Sequence, residues 1–136
     1  MNDKKEINKT EEEWKKILSA EQYRVMREGG TERPFESELL HGDKSGGYYC
    51  AACDNLLFPA ETKFDSGTGW PSFNDAVKGS VELKTDKSLG MSRTEVVCAK
   101  CGAHLGHVFA DAPDQPTGQR YCINGVCLKH KPEKKD

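Results

Sequence analysis

Two identically spaced units, Cys50-Ala-Ala-Cys53 and Cys98-Ala-Lys-Cys101, constrain this chain more than any other feature. A Cys-x-x-Cys turn presents two thiolates to one side, and two such turns supply the four ligands of a tetrahedral zinc site. The long stretch between them, Asp54 to Val97, means that the ion staples distant parts of one domain. Four thiolates leave no open coordination position, so one zinc per chain is expected and its role is structural. Two other readings compete: three disulfides in a small secreted domain, or a redox role for either unit alone. The N-terminus MNDKKEINKTEEEW lacks the apolar core of a signal peptide, and no apolar run approaches a membrane span. The chain reads as cytoplasmic, where thiols stay reduced, and this favours zinc.

Thr10 followed by Glu13 fits a capping box, after which Trp14, Ile17 and Leu18 fall on one helical face. Ser19 and Gln22 repeat the signal for a second short helix carrying Tyr23, Val25 and Met26, to be ended by Gly29-Gly30. From Gly46 onward the chain changes character. GGYYCAACDNLLF, GSVELKTD, MSRTEVVCA, AHLGHVFAD and RYCINGVCL are short apolar or alternating runs broken by turn residues, as in antiparallel strands. APDQPTGQ reads as a loop, and the charged run KHKPEKKD as a disordered tail. A chain of 136 residues suffices for one domain with a modest core, placed at 10–130 between tails 1–9 and 131–136. A formal net charge of −2 gives no reason to expect a polyanionic partner, so nucleic acid is not favoured.

Cys122 and Cys127 are left over once zinc has taken four cysteines. Cys122 is flanked by Arg120 and Asn124, His104-Leu-Gly-His107 follows the second knuckle, and Trp70 stands in the glycine-rich SGTGWPSF. Either histidine alone could fill a polar position near the zinc turn. Together with a thiol outside the knuckles and an aromatic wall they supply a nucleophile and proton donors, which is more than a core needs.

SGTGWPSF, CGAHLGHVF and RYCIN, with the two Cys-x-x-Cys units and the front motif EQYRVMREGGTERPF, resemble the methionine sulfoxide reductase B family from about Trp14 to about Leu128. The resemblance implies a mainly β fold of two antiparallel sheets with short N-terminal helices and a structural four-cysteine zinc site. It implies reduction of the R epimer of methionine sulfoxide, free or in proteins, and an external thiol reductant such as thioredoxin is a candidate partner; the chain itself is expected to be a monomer. Carried over by position, Cys122 is the nucleophile, and His104 and His107 orient the sulfoxide oxygen and deliver its proton. Asn124 positions that network, Trp70 packs on the S-methyl group, and Asp111 with Arg120 braces the catalytic loop. The product on the enzyme is a cysteine sulfenic acid.

Many members resolve the sulfenic acid with a second cysteine in the glycine-rich loop, where this chain has Thr68. That leaves an external thiol or Cys127. On one continuous strand Cys122 and Cys127 would lie about 16 Å apart, out of disulfide reach. Were Asn124-Gly125 a hairpin turn, they would face each other and could bridge. Cys127 in VCL otherwise reads as a small core residue. Two further readings remain: a non-catalytic zinc-binding interaction module, which leaves Cys122, His104, His107 and Trp70 unexplained, and a zinc hydrolase, which conflicts with a shell already filled by thiolates.

Overall fold

Thr10 and Ser19 each start a helix by the reciprocal bonding their contexts predict. The computed structural model describes residues 10–28, 30–31, 46–64, 66, 68–87 and 93–131. Helix α1 (Glu11–Ile17) opens with the Glu13 N–H donating to Thr10 Oγ1 at 3.2 Å and the Thr10 N–H donating to Glu13 Oε1 at 2.8 Å. Helix α2 (Ala20–Met26) repeats this between Ser19 and Gln22 at 3.1 and 2.9 Å. Each cap satisfies two backbone groups that a seven-residue helix can ill afford to leave unpaired. Trp14, Leu18, Val25 and Met26 are buried as expected, but Ile17, in the last turn of α1, is 55% exposed. Arg27 caps α2, ahead of the expected glycine stop; Gly29 lies outside the described residues, as do residues 32–35 of the front motif, the predicted tail 1–9, and residues 132–136 of the predicted tail 131–136.

Beyond the helices, the regular structure among the described residues is mainly β, in two antiparallel sheets. Strands β1 (Gly47–Cys50), β2 (Leu56–Pro59) and β9 (Leu128–Lys131) form one, in the order β2-β1-β9. The other has the order β3-β4-β8-β7-β6-β5, from β3 (Lys63–Phe64), β4 (Ser72–Phe73), β5 (Val81–Asp86), β6 (Arg93–Cys98), β7 (His104–Phe109) and β8 (Arg120–Ile123). Aromatic rings join the sheets. Phe73 stacks on Phe58 at 4.4 Å between centroids and meets Tyr48 edge-on at 5.0 Å, while Tyr121 meets Phe58 at 5.7 Å. Burying rings of this size contributes about 1.5–3 kcal/mol each, which makes this cluster a substantial apolar link between the layers.

Two sequence expectations change here. Residues 129–131 of the charged run belong to β9, paired with Gly47 to Tyr49 of β1, where a disordered tail was expected. Lysine suits this position because β9 is an edge strand, and Lys131 reaches Asp54 at 2.8 Å. Nor does RYCINGVCL form one strand or a hairpin. The chain leaves β8 at Ile123, makes a 3-10 turn over Gly125–Cys127, and passes into the other sheet as β9. The apolar partners of that turn lie on α2 and in the core, and they override the local Asn-Gly preference.

Candidate active site

The four knuckle cysteines converge. Both Cys-x-x-Cys turns close alike: the Asp54 N–H donates to Cys50 O at 2.7 Å, and the Gly102 N–H to Cys98 O at 2.8 Å. The closing residue is left-handed in each, with φ of 68° at Asp54 and 79° at Gly102. Sulfur separations are 3.8 Å for Cys50–Cys101 and 3.6 Å for Cys53–Cys98, and all four sulfurs lie within 4.8 Å of one another. An ion bonded to four thiolates at about 2.3 Å needs sulfurs about 3.8 Å apart, so the donor set fits a tetrahedral metal. The crowded thiols pull one another's pKa values apart: the pKa of Cys98 is held down, chiefly by the hydrogen bond from Cys101, and that of Cys50 is pushed up, again chiefly by Cys101. A divalent cation removes the conflict by favouring the thiolate at every position.

A second group is built on the six-stranded sheet. Cys122 of β8 pairs directly with His107 of β7 on one side and with Ser72 of β4 on the other. Directly paired residues share a face, as do residues two apart, so Cys122, His107, Ser72, Arg120 and Phe109 all project from one side. His104 is three residues from His107, and a regular strand would turn the two histidines to opposite faces. The β6–β7 register slips between Val96 and Val97: Val96 pairs with Gly106 but Val97 with His104, which puts one extra residue in β7. This bulge returns His104 to the side of His107, with ring centroids 5.5 Å apart and edge-on.

The bulge is clamped by the segment after β8. The Asn124 N–H and Nδ2 both donate to Leu105 O, at 2.9 and 3.1 Å, and Cys127 Sγ donates to His104 O at 3.4 Å. Asn124 is 3% exposed and Cys127 fully buried, so these bonds are shielded from water. Gly106 meets a different demand: a Cβ there would fall 2.0 Å from the carbonyl oxygen of Cys122, so β7 and β8 approach this closely only with glycine.

The face opens into a cleft of about 260 Å³ lined by Thr31, Thr68, Trp70, Arg93, Gly106, His107, Phe109, Arg120, Cys122 and Asn124. Ser66 Oγ lies 2.8 Å from Thr68 Oγ1 and 2.7 Å from Ser72 Oγ, and Ser72 Oγ donates to Trp70 O at 3.1 Å. These hydroxyls tie the turn carrying Trp70 to the strand beside Cys122. Arg120 is fixed on two sides. Its guanidinium lies 4.6 Å from the Phe109 ring centroid, and Nε and Nη2 donate to the two carboxylate oxygens of Asp111, both at 2.9 Å. Asp111 raises the guanidinium's pKa, mainly through that hydrogen bond, and Cys122 adds to the effect. Arg120 in turn holds the Asp111 carboxyl below the usual carboxylate range.

Cys122, His107, Asn124, Trp70 and Arg120 therefore meet in one cleft, and none of the four knuckle cysteines lines it. His104 and Asp111 stand behind it, the first against His107 and the second against Arg120. Sequence reasoning missed Glu95, Arg93, Phe109, Gly106 and Thr31. Phe109 and Gly106 sit within the AHLGHVFAD run, and alternation along TEVV places Glu95 opposite Val96 in facing. Thr31 lies in the front motif and Arg93 in MSRTEVVCA, but neither string marks a residue for the cleft.

A model of the SelR domain matches residues 18–132. The chain is 57% identical over 130 residues to a peptide methionine sulfoxide reductase MsrB of Methanosarcina barkeri, covering 95% of this chain and 91% of that protein. It is 54% identical over 129 residues to the protein of the same name from Leptospira interrogans, covering 94% and 98%. Against the mitochondrial methionine-R-sulfoxide reductase B2 of Rattus norvegicus it is 52% identical over 139 residues, covering 96% of this chain and 79% of that one.

Proposed function

The chain belongs to the methionine sulfoxide reductase B family, and from that premise we propose that its cleft reduces the R epimer of methionine sulfoxide to methionine with Cys122 as the nucleophile. The observation that carries this reading is the direct pairing of Cys122 with His107 at the floor of a cleft walled by Trp70 and Phe109. A thiolate is the competent nucleophile, and Arg120, locked by Asp111, is its counter-charge. The thiolate attacks the sulfoxide sulfur and forms an S–S bond as the oxygen, protonated by the histidine pair, leaves as water; a water then attacks the Cys122 sulfur, breaks that bond and releases methionine. The net change is that sulfoxide and Cys122 thiol give methionine and Cys122 sulfenic acid. Trp70 takes the S-methyl group, so the side holding the apolar wall and the side holding the proton donor together read the chirality at sulfur. Asn124 serves this chemistry by holding the bulge that aims His104.

Recycling uses an external thiol such as thioredoxin. Thr68 offers no sulfur at the cleft, and Cys127 is fully buried with its thiol bonded to His104 O. One thiol displaces water from the sulfenic acid to form a mixed disulfide, and a second releases Cys122 and leaves with the first as a disulfide. The four knuckle thiolates hold one zinc ion, which supplies a crosslink between the β1–β2 and β6–β7 turns and takes no part in the reaction. Such thiolates require a reducing compartment, in keeping with a cytoplasmic monomer acting on free or protein-bound sulfoxide. No helix among the described residues is long and apolar enough to cross a membrane.

Turnover of (R)-methionine sulfoxide with dithiothreitol tests the proposal. Folded, metal-loaded protein should release methionine from the R epimer and leave the S epimer untouched. No turnover would leave the non-catalytic module as the better reading.

A further inference from the structure

Glu95 is a charged residue in the interior of the six-stranded sheet, with no part in the reaction as described. It lies on β6, paired across the ladder with Lys84 on one side and His107 on the other. Its carboxylate does not follow either register. Oε2 instead lies 2.7 Å from Nδ1 of His104, which the bulge has brought to the same face. The His104 side chain is 9% exposed and that of Glu95 26%, so the contact is largely shielded from water.

A carboxylate can only accept a hydrogen bond, so a 2.7 Å contact with Nδ1 requires the proton on Nδ1. In neutral His104 this leaves Nε2 as the lone-pair nitrogen, and in the charged form Nε2 carries the second proton. We propose that Glu95 is a positioning residue for the reaction, fixing the tautomer and ring orientation of His104, which packs edge-on against His107 at the cleft. Carboxylates act in this way on working imidazoles elsewhere, setting which nitrogen faces the chemistry. The inference rests on the reductase reading given above, because it assigns Glu95 to the proton-handling side of that reaction. The bulge is its structural precondition: with regular pairing His104 would face the core, and Glu95 would reach only His107.

Two substitutions separate positioning from plain stabilisation. Glu95→Leu removes the acceptor at similar volume, and Glu95→Gln restores an acceptor oxygen without the charge. In the metal-loaded full chain, Glu95→Leu should lower kcat at least about tenfold with KM for (R)-methionine sulfoxide within about twofold, and Glu95→Gln should recover part of that loss. Imidazole 15N spectra should show His104 protonated at Nδ1 in the unsubstituted protein, and this signature should be lost in Glu95→Leu. An unchanged kcat, a rise confined to KM, or the same His104 spectrum with and without Glu95 would overturn the inference. Should the unsubstituted protein fail to reduce the sulfoxide, the reductase reading falls, while the 15N comparison still decides whether Glu95 sets the tautomer.

Discussion

Cys122 and His107 face each other across β7 and β8, and in the proposed mechanism replacing either removes a different part of one reaction. Cys122→Ser should abolish turnover while leaving fold and metal content intact, since a hydroxyl is far less acidic than a thiol and forms no sulfenic acid. Measurable turnover by that variant would move the nucleophile elsewhere. His107→Ala should lower kcat by about 10² to 10⁴, the usual worth of a positioned proton donor, with less effect on KM. An increase in KM alone would make His107 a binding group. Gly106→Ala should cost at least about 2 kcal/mol and most of the activity, because its Cβ meets backbone and not a side chain that could move aside. A thermal midpoint equal to that of the unsubstituted protein would contradict the close approach of the two strands. Cys122 and His107 are legible in the amino-acid sequence because they fall in unusual strings. Glu95 is not, since one acidic residue in a β run carries no sign of which histidine it will meet.

At the level of elements, local signals are readable where the bonding is local. Both capping boxes and both knuckles form as their spacing requires, and APDQPTGQ is a loop. The bulge at Val96/Val97 is not readable, because it depends on Leu105 O and His104 O finding donors on Asn124 and Cys127, which arrive from a distant part of the chain. The destination of β9 is hidden for the same reason, and Ile17 shows that a seven-residue helix need not bury every apolar side chain. The β7–β8 connection gives a pH prediction. Arg120 depresses the Asp111 carboxyl pKa, so the pair adds stability at neutral pH that is lost as pH falls below the unfolded value of about 3.9 and through the lower folded one. Asp111 is half-exposed, which limits the effect: Asp111→Asn should cost under about 1 kcal/mol at pH 7, and the gap should close toward pH 2. Urea midpoints at the two pH values check this, and a gap that widens in acid would reverse the sign of the argument.

At the scale of the whole molecule, two long-range features tie distant parts together: the aromatic cluster between the sheets and the convergence of the paired knuckles, which the proposed zinc would crosslink. On the proposed reading, one zinc held by four thiolates would contribute on the order of 10 kcal/mol, comparable with the stability of an entire small domain, so chelation should unfold or loosen the protein. Native, active protein with much less than one zinc per chain would count against that. In the proposed mechanism the oxidised cysteine is reduced from outside, which leaves the catalytic cycle open at one end. Its most direct test is a single turnover: reduced protein, one equivalent of (R)-methionine sulfoxide, no added thiol, and mass spectrometry of the cysteine peptides. The account predicts one equivalent of methionine and one added oxygen atom on the Cys122 peptide, trappable by a sulfenic-acid reagent. A Cys122–Cys127 disulfide, or oxidation at any other cysteine with Cys122 left as a thiol, would contradict it.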